Sequence, residues 1–136
     1  MSERVRVWDV FVRLFHWLLV GLFVGTWLTS DGPKALHQGM GYGIAGLIAA
    51  RVVWGLVGPR HARFADFVRG PRAVLRYLGQ LLRGTEGRSL GHNPAGGAMI
   101  VALLLVISGI VLTGWLQTTD LFWGSSVMEE LHEGLV

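Results

Sequence analysis

The sequence predicts an all-α integral-membrane protein, a single domain over residues 1–136 whose helices run up and down through the bilayer, and three observations carry that prediction. Apolar side chains make up 51% of the chain and charged ones only 15%, where ordinary soluble domains carry about 25%; the mean hydropathy is +0.48. The charges are also bunched. None lies between Leu14 and Ser30, Arg51 alone lies between Leu36 and Pro59, and none lies between Asn93 and Thr119. A helix needs roughly 20 mainly apolar residues to cross a bilayer. The second and third runs reach that length, and the first does so if the turn before Arg13 joins, with that side chain snorkelling to the surface. Third, Arg60, Arg63, Arg69, Arg72, Arg76, Arg83 and Arg88 share the loop between two spans, while Asp120, Glu129, Glu130 and Glu133 follow the last one. That asymmetry is the positive-inside pattern. It also answers the nucleic-acid reading that a pI near 10.2 invites. A soluble bundle fits poorly, since buried helices rarely run so long without charge. A cleaved signal peptide fits poorly too, since the apolar run is too long and no A-x-A-like site follows it.

The elements follow in order. Residues 1–10 are a short basic head with Arg4 and Arg6. The first helix is expected over 10–30, closed by the turn signal Asp31-Gly32-Pro33. The second is expected over 35–57, ending at Gly58-Pro59. Within the arginine loop, 71–83 reads as an amphipathic surface helix, with Val74, Leu75, Leu78, Leu81 and Leu82 on one side and Arg72, Arg76, Gln80 and Arg83 on the other. Asn93-Pro94 supplies a cap and a first-turn proline for a third helix over 93–117. A fourth starts near Ser126, with Glu129 and Glu130 in its first turn, where acids suit the helix dipole. It reaches Val136 after about three turns, a stub of a fourth span truncated in this chain. Six tryptophans lie mostly towards span ends, as an aromatic belt would.

Ionisable residues inside a span are costly and read as functional by default. His16 sits a turn inside the first helix, on the arginine side of the bilayer; His37 starts the second and His132 lies in the second turn of the fourth, both on the outer side. His37 and His132 therefore share a depth and make a candidate pair, with His16 apart. Gly41 follows His37 by four residues on the same face, leaving room beside it for a flat group, although small residues also serve plain helix packing. Arg51 lies fourteen residues after His37, about 21 Å along the axis and on roughly the same face, level with His16. It and Arg13 suit an anionic group or simple snorkelling equally well. His61 reads as a surface residue and His92, in Gly91-His92-Asn93-Pro94, as an interfacial one. With no cysteine, disulfides, cysteine-ligated clusters and thioether-linked haem are excluded. Three histidines would also suit a zinc site or proton path, but His16 is at the wrong depth to converge with the other two.

The stretch Arg6-Val-Trp-Asp-Val-Phe-Val-Arg13-Leu-Phe-His16-Trp17 resembles the first helix of bacterial cytochrome b561 proteins. So do His37-x-x-x-Gly41, Arg51-Val-Val-Trp-Gly-Leu-Val-Gly-Pro59, Gly91-His-Asn-Pro94 and Glu130-Leu-His132-Glu, in the right order along the whole chain. This wider family includes the b-type cytochrome subunits of membrane nickel–iron hydrogenases. The resemblance implies an up-and-down four-helix transmembrane bundle with two haems b in the bacterial inner membrane. His16, His37 and His132 match axial ligands, and Arg13, Arg51, Gly41 and His92 are expected to line the haems. In the family pattern a further histidine comes about four turns beyond His132. The chain is therefore expected to continue past Val136 naturally, with one complete ligand pair, His37 and His132, within these residues. The implied activity is electron transfer between quinol or quinone and a partner redox protein: a cytochrome c, a hydrogenase or another dehydrogenase. Two alternatives stay open: an oxidoreductase acting directly on quinol or superoxide, and a haem-free membrane anchor or transporter.

The arginine bias places the N-terminus and the 59–92 loop in the cytoplasm. A reporter enzyme fused within 59–92 is expected to be active only in its cytoplasmic form; a periplasmic signal there would invert the topology.

Overall fold

The computed structural model describes residues 9–87 and 92–136; the basic head with Arg4, Arg6 and Trp8, and Arg88 and Gly91 of the arginine loop, lie outside the described residues. Every regular element among the described residues is helical: α1 (Val10–Leu28), α2 (Lys34–Val57), a 3-10 turn (Arg60–Ala62), α3 (Phe64–Phe67), α4 (Pro71–Leu82), α5 (Pro94–Leu116) and α6 (Ser126–Leu135). Three of these, α1, α2 and α5, are long and apolar enough to cross a membrane. The helix α1 packs along α2, α2 packs on α5, and α5 packs on α6, while α3 rests on α2 and α4 on α5.

The interior is small. Ile44, Ile48, Ala62 and Phe67 are its buried apolar residues among those described, while Trp17, Leu28, Leu105 and many other large apolar side chains point outward. Such a surface would be untenable in water. It is what lipid-facing helices present, since their backbone polar groups are satisfied within each helix. Trp17, Trp27 and Trp123 are among the most exposed, in keeping with a belt. Trp54 is partly covered. Its indole Nε1 donates to Asp9 Oδ2 at 3.0 Å and its ring stacks on Phe11 at 4.7 Å. The other carboxylate oxygen of Asp9 caps α1, accepting from the Val12 amide at 2.7 Å, a contact generally worth about 1 kcal/mol. One acidic side chain thus starts α1 and clips it to the end of α2.

Close approach elsewhere depends on glycine. A side chain at Gly25 would meet Met40 of α2, one at Gly43 would meet Leu22 of α1, and one at Gly109 would meet Leu135 of α6. After Gly84, whose φ of +64° is left-handed, the Thr85 amide bonds back to the Gln80 carbonyl at 2.9 Å and ends α4. The Asn93 side chain accepts from the Gly96 amide at 2.7 Å and starts α5.

The segment after Gly58, read from sequence as loop, folds into a lid over Arg51. Arg63 Nε donates to the Gly58 carbonyl at 2.6 Å, and Asp66 pairs with Arg60 and His61 at 3.5 and 3.4 Å. This sets Phe64 and Phe67 over the Arg51 guanidinium, 5.0 and 5.9 Å from their ring centres. Arg51 Nη1 donates to the Ala62 carbonyl at 3.2 Å, and the residue is only 3% exposed. The side chain is covered rather than extended to water. Phe67 also packs on His92 at 4.8 Å, and its carbonyl abuts Gly97. Burial first, and the Arg51 charge second, hold His92 below its ordinary pKa of 6.5.

Two outcomes follow from this lid. A methyl group at Gly97 would sit 2.5 Å from the Phe67 carbonyl oxygen, so Gly97→Ala is expected to cost about 1–3 kcal/mol. Gly46→Ala, which meets nothing within 4 Å, is the neutral control; thermal unfolding in detergent compares them. Because the folded chain binds a proton at His92 less readily than the unfolded chain does, that contribution to stability is complete above pH 6.5 and is lost as pH falls through the lowered folded value. Melting curves between pH 5 and pH 7 should show the loss, and His92→Phe should flatten it.

Candidate functional site

The helix ends around His37 and His132 border a cavity of about 760 Å³, lined by residues of four helices: Phe23, Thr26 and Trp27 of α1, His37, Gly41 and Tyr42 of α2, Ile110 and Gly114 of α5, and His132 of α6. Its size and mostly apolar wall with a few convergent polar groups are those of a small-molecule or cofactor site. Lys34 is the one cation on that wall among the described residues; Glu129 and Glu133 also line it.

His37 and His132 meet in this cavity, with ring centres 6.3 Å apart and planes at 74°. Each ring is steered by its Nδ1. For His37, Nδ1 lies 2.9 Å from the Thr26 carbonyl oxygen of α1. For His132, Nδ1 lies 2.9 Å from the Ile110 carbonyl oxygen and 3.1 Å from Thr113 Oγ1, both on α5. A carbonyl oxygen only accepts, so in both rings Nδ1 carries the proton and donates it. Nε2 is then left in each ring with a free lone pair. Histidine ligands of metals are oriented in this way, with the second nitrogen fixing the tautomer. Thr113 is buried, and its hydroxyl donates within α5 to the Gly109 carbonyl at 2.8 Å, so its lone pairs face His132. Gly114 lets the ring come close: a Cβ there would lie 2.9 Å from His132 Cε1.

Two imidazoles on opposite sides of one metal ion, with bonds of about 2 Å, have centres roughly 6 Å apart, and the observed spacing fits that. Two imidazoles alone underfill a tetrahedral zinc site. Among the described residues no group of three or more His, Cys, Asp or Glu converges to hold a bare metal ion. Haem iron needs only two axial protein ligands, because the porphyrin supplies the rest. Gly41, with nothing within 4 Å of a Cβ built there, leaves one wall open for a flat ring. The donor set therefore fits a bis-histidine haem.

The other predicted residues lie elsewhere. His16 is exposed on α1, edge-on to Trp17 at 5.3 Å, and Arg13 is exposed a turn before it. Arg51 and His92 share the lid cluster at the opposite end of the bundle from His37. His61 pairs with Asp66. Sequence reasoning missed Thr26, Ile110, Thr113 and Gly114. Two of these act through backbone carbonyls, which no residue type announces. Thr113-Gly114 lay visible in a charge-free run, but only the fold sets them against His132.

No curated protein and no solved structure matches the chain. Residues 7–136 do match a known family throughout, one of membrane b-type cytochromes that bind haem and transfer electrons. With apolar spanning helices and a haem-compatible histidine pair already in view, that match settles the family: this chain belongs to the prokaryotic cytochrome b561 proteins.

Proposed function

We propose that the chain is the membrane subunit of an electron-transfer system, with His37 and His132 as axial ligands of a haem b near the outer face of a four-helix bundle. The observation that carries this reading is the pair of Nδ1–carbonyl hydrogen bonds, which turns both Nε2 lone pairs free at a ring separation of 6.3 Å. The haem, when bound, supplies a reversible change of iron valence, and ligation on both sides leaves no open position for substrate chemistry. The protein residues hold the rings. Thr26 and Ile110 fix the tautomers, Thr113 adds a second anchor to His132, Gly41 and Gly114 leave room, and Lys34 at the wall suits a propionate.

His16 is proposed as a ligand of a second haem towards the opposite face, with Arg13, Arg51 and His92 near its propionates. The buried Arg51 charge close to His92 supports an anion-accepting environment there. The partners proposed are quinol or quinone in the bilayer and a hydrogenase, dehydrogenase or cytochrome c beside it, in the bacterial inner membrane with the N-terminus in the cytoplasm. The family match and the arginine asymmetry support this assignment.

His37→Ala and His132→Ala are each expected to remove one b-type signal from the reduced-minus-oxidised spectrum of the purified protein while leaving it inserted. Full haem content in both variants would remove the proposed pair. Gly41→Leu should lower haem content without lowering membrane insertion, because its side chain enters the cavity rather than a helix contact. Thr113→Val keeps the side-chain shape but loses the hydroxyl facing His132, so it is expected to shift the midpoint potential of that haem, with Thr113→Ser restoring it.

A further inference from the structure

The electron-transfer site uses nothing from α4, yet α4 has three chemically distinct sides. At about 100° per residue, Ala73, Val74 and Tyr77 fall together and are the partly covered side, towards the protein. This agrees with the packing of α4 on α5. Leu75, Leu78 and Leu82 form the next side and are open, at 69%, 39% and 90% exposure. Arg72, Arg76 and Arg83 form the third, directly beside the leucines, and all three are exposed. None of these arginines has an ion-pair partner among the described residues, whereas Arg60 of the same loop is paired with Asp66.

At twelve residues, about 18 Å, α4 is too short to cross a bilayer. It is tied to α5, a helix that is long and apolar enough to span, whose own Met99 and Leu103 are exposed. The open leucines of α4 thus belong to a helix packed on one whose own exposed side chains suit hydrocarbon, with a row of unpaired cations at their edge. An apolar stripe bordered by arginines matches the boundary between acyl chains and headgroups. The charge selects the headgroup, because each exposed arginine near such a surface favours an anionic lipid.

We propose that α4 is a lipid-binding element that lies in the membrane interface and recruits anionic phospholipid headgroups through Arg72, Arg76 and Arg83. Leu75, Leu78 and Leu82 enter the acyl layer, and guanidinium–phosphate hydrogen bonds hold the headgroups beside them. The site is separate from the cavity lined by His37 and His132.

The chain has no cysteine, so Leu82→Cys gives the full-length protein a unique position for an environment-sensitive fluorophore. The labelled protein is reconstituted in vesicles of phosphatidylcholine and phosphatidylglycerol. Brominated acyl chains are carried in separate samples by one lipid or the other, at equal mole fraction. The expected result is quenching by both, stronger by at least about twofold for brominated phosphatidylglycerol. The triple variant Arg72→Gln/Arg76→Gln/Arg83→Gln should bring the ratio to one, and the corresponding triple lysine variant should keep it. Equal quenching by the two lipids in the protein with all its arginines would overturn the selection of anionic headgroups. Absence of quenching by either would show that the leucine side meets water or a protein partner and would overturn the placement as well. Both decisive comparisons use the unaltered arginines, so they stand even if the glutamine variant fails to fold.

Discussion

Hydrocarbon offers no hydrogen bonds, and every polar group carried into it must find its partner inside the protein. The buried side chains of this protein obey that constraint. Among the described residues no buried side-chain nitrogen or oxygen lacks a partner. Hydroxyls within the helices bond back to carbonyls a turn earlier, as Thr26, Ser108 and Thr113 do. The larger polar groups cannot be served by their own helix, so they tie helices together. Asp9 joins α1 to Trp54 of α2, Arg51 joins α2 to the carbonyl of Ala62, and the two histidines join α2 to α1 and α6 to α5.

The same bonds that satisfy the histidines prepare them chemically. A ring whose Nδ1–H is committed to a carbonyl has one tautomer and one free nitrogen, so stability and the proposed ligation make the same demand on its orientation. The rings come from helices that do not adjoin in sequence, and each is steered by the helix before it, Thr26 for His37 and Ile110 for His132. The pair is thus held by the α1–α2 and α5–α6 contacts rather than by a local turn.

The two ends of the bundle solve the polarity problem differently. The end that carries His37 and His132 keeps an open cavity with one lysine and flanking acids. The opposite end is closed by a small aromatic lid, in which Phe64 and Phe67 shield Arg51 and Phe67 also covers His92. A cation against aromatic faces is stabilised by their electron-rich surfaces, and the Asp9 carboxylate adds attraction to Arg51. That is how an arginine deep in an apolar helix can be buried while Asp66 of the lid is occupied with Arg60 and His61.

The sequence by itself determined what depends on local pattern and on the solvent. Apolar runs of sufficient length with few or no charges mark α1, α2 and α5, Asn93-Pro94 marks the start of α5, and the leucine–arginine alternation marks α4. The shared depth of His37 and His132 could be counted along the helices, as could the fourteen residues from His37 to Arg51. The tertiary structure alone decided which groups receive the polar atoms. Whether Arg51 snorkels or is covered depends on the fold of 60–67, a segment without periodicity whose 3-10 turn and α3 are set by the Asp66 and Arg63 contacts. That Trp54 clips Asp9, and that Thr113 and Gly114 support and admit His132, depends on helix rotation. Helix rotation in a bilayer is set by side-chain packing and polar satisfaction between helices, since lipid is as apolar as leucine and favours no single face.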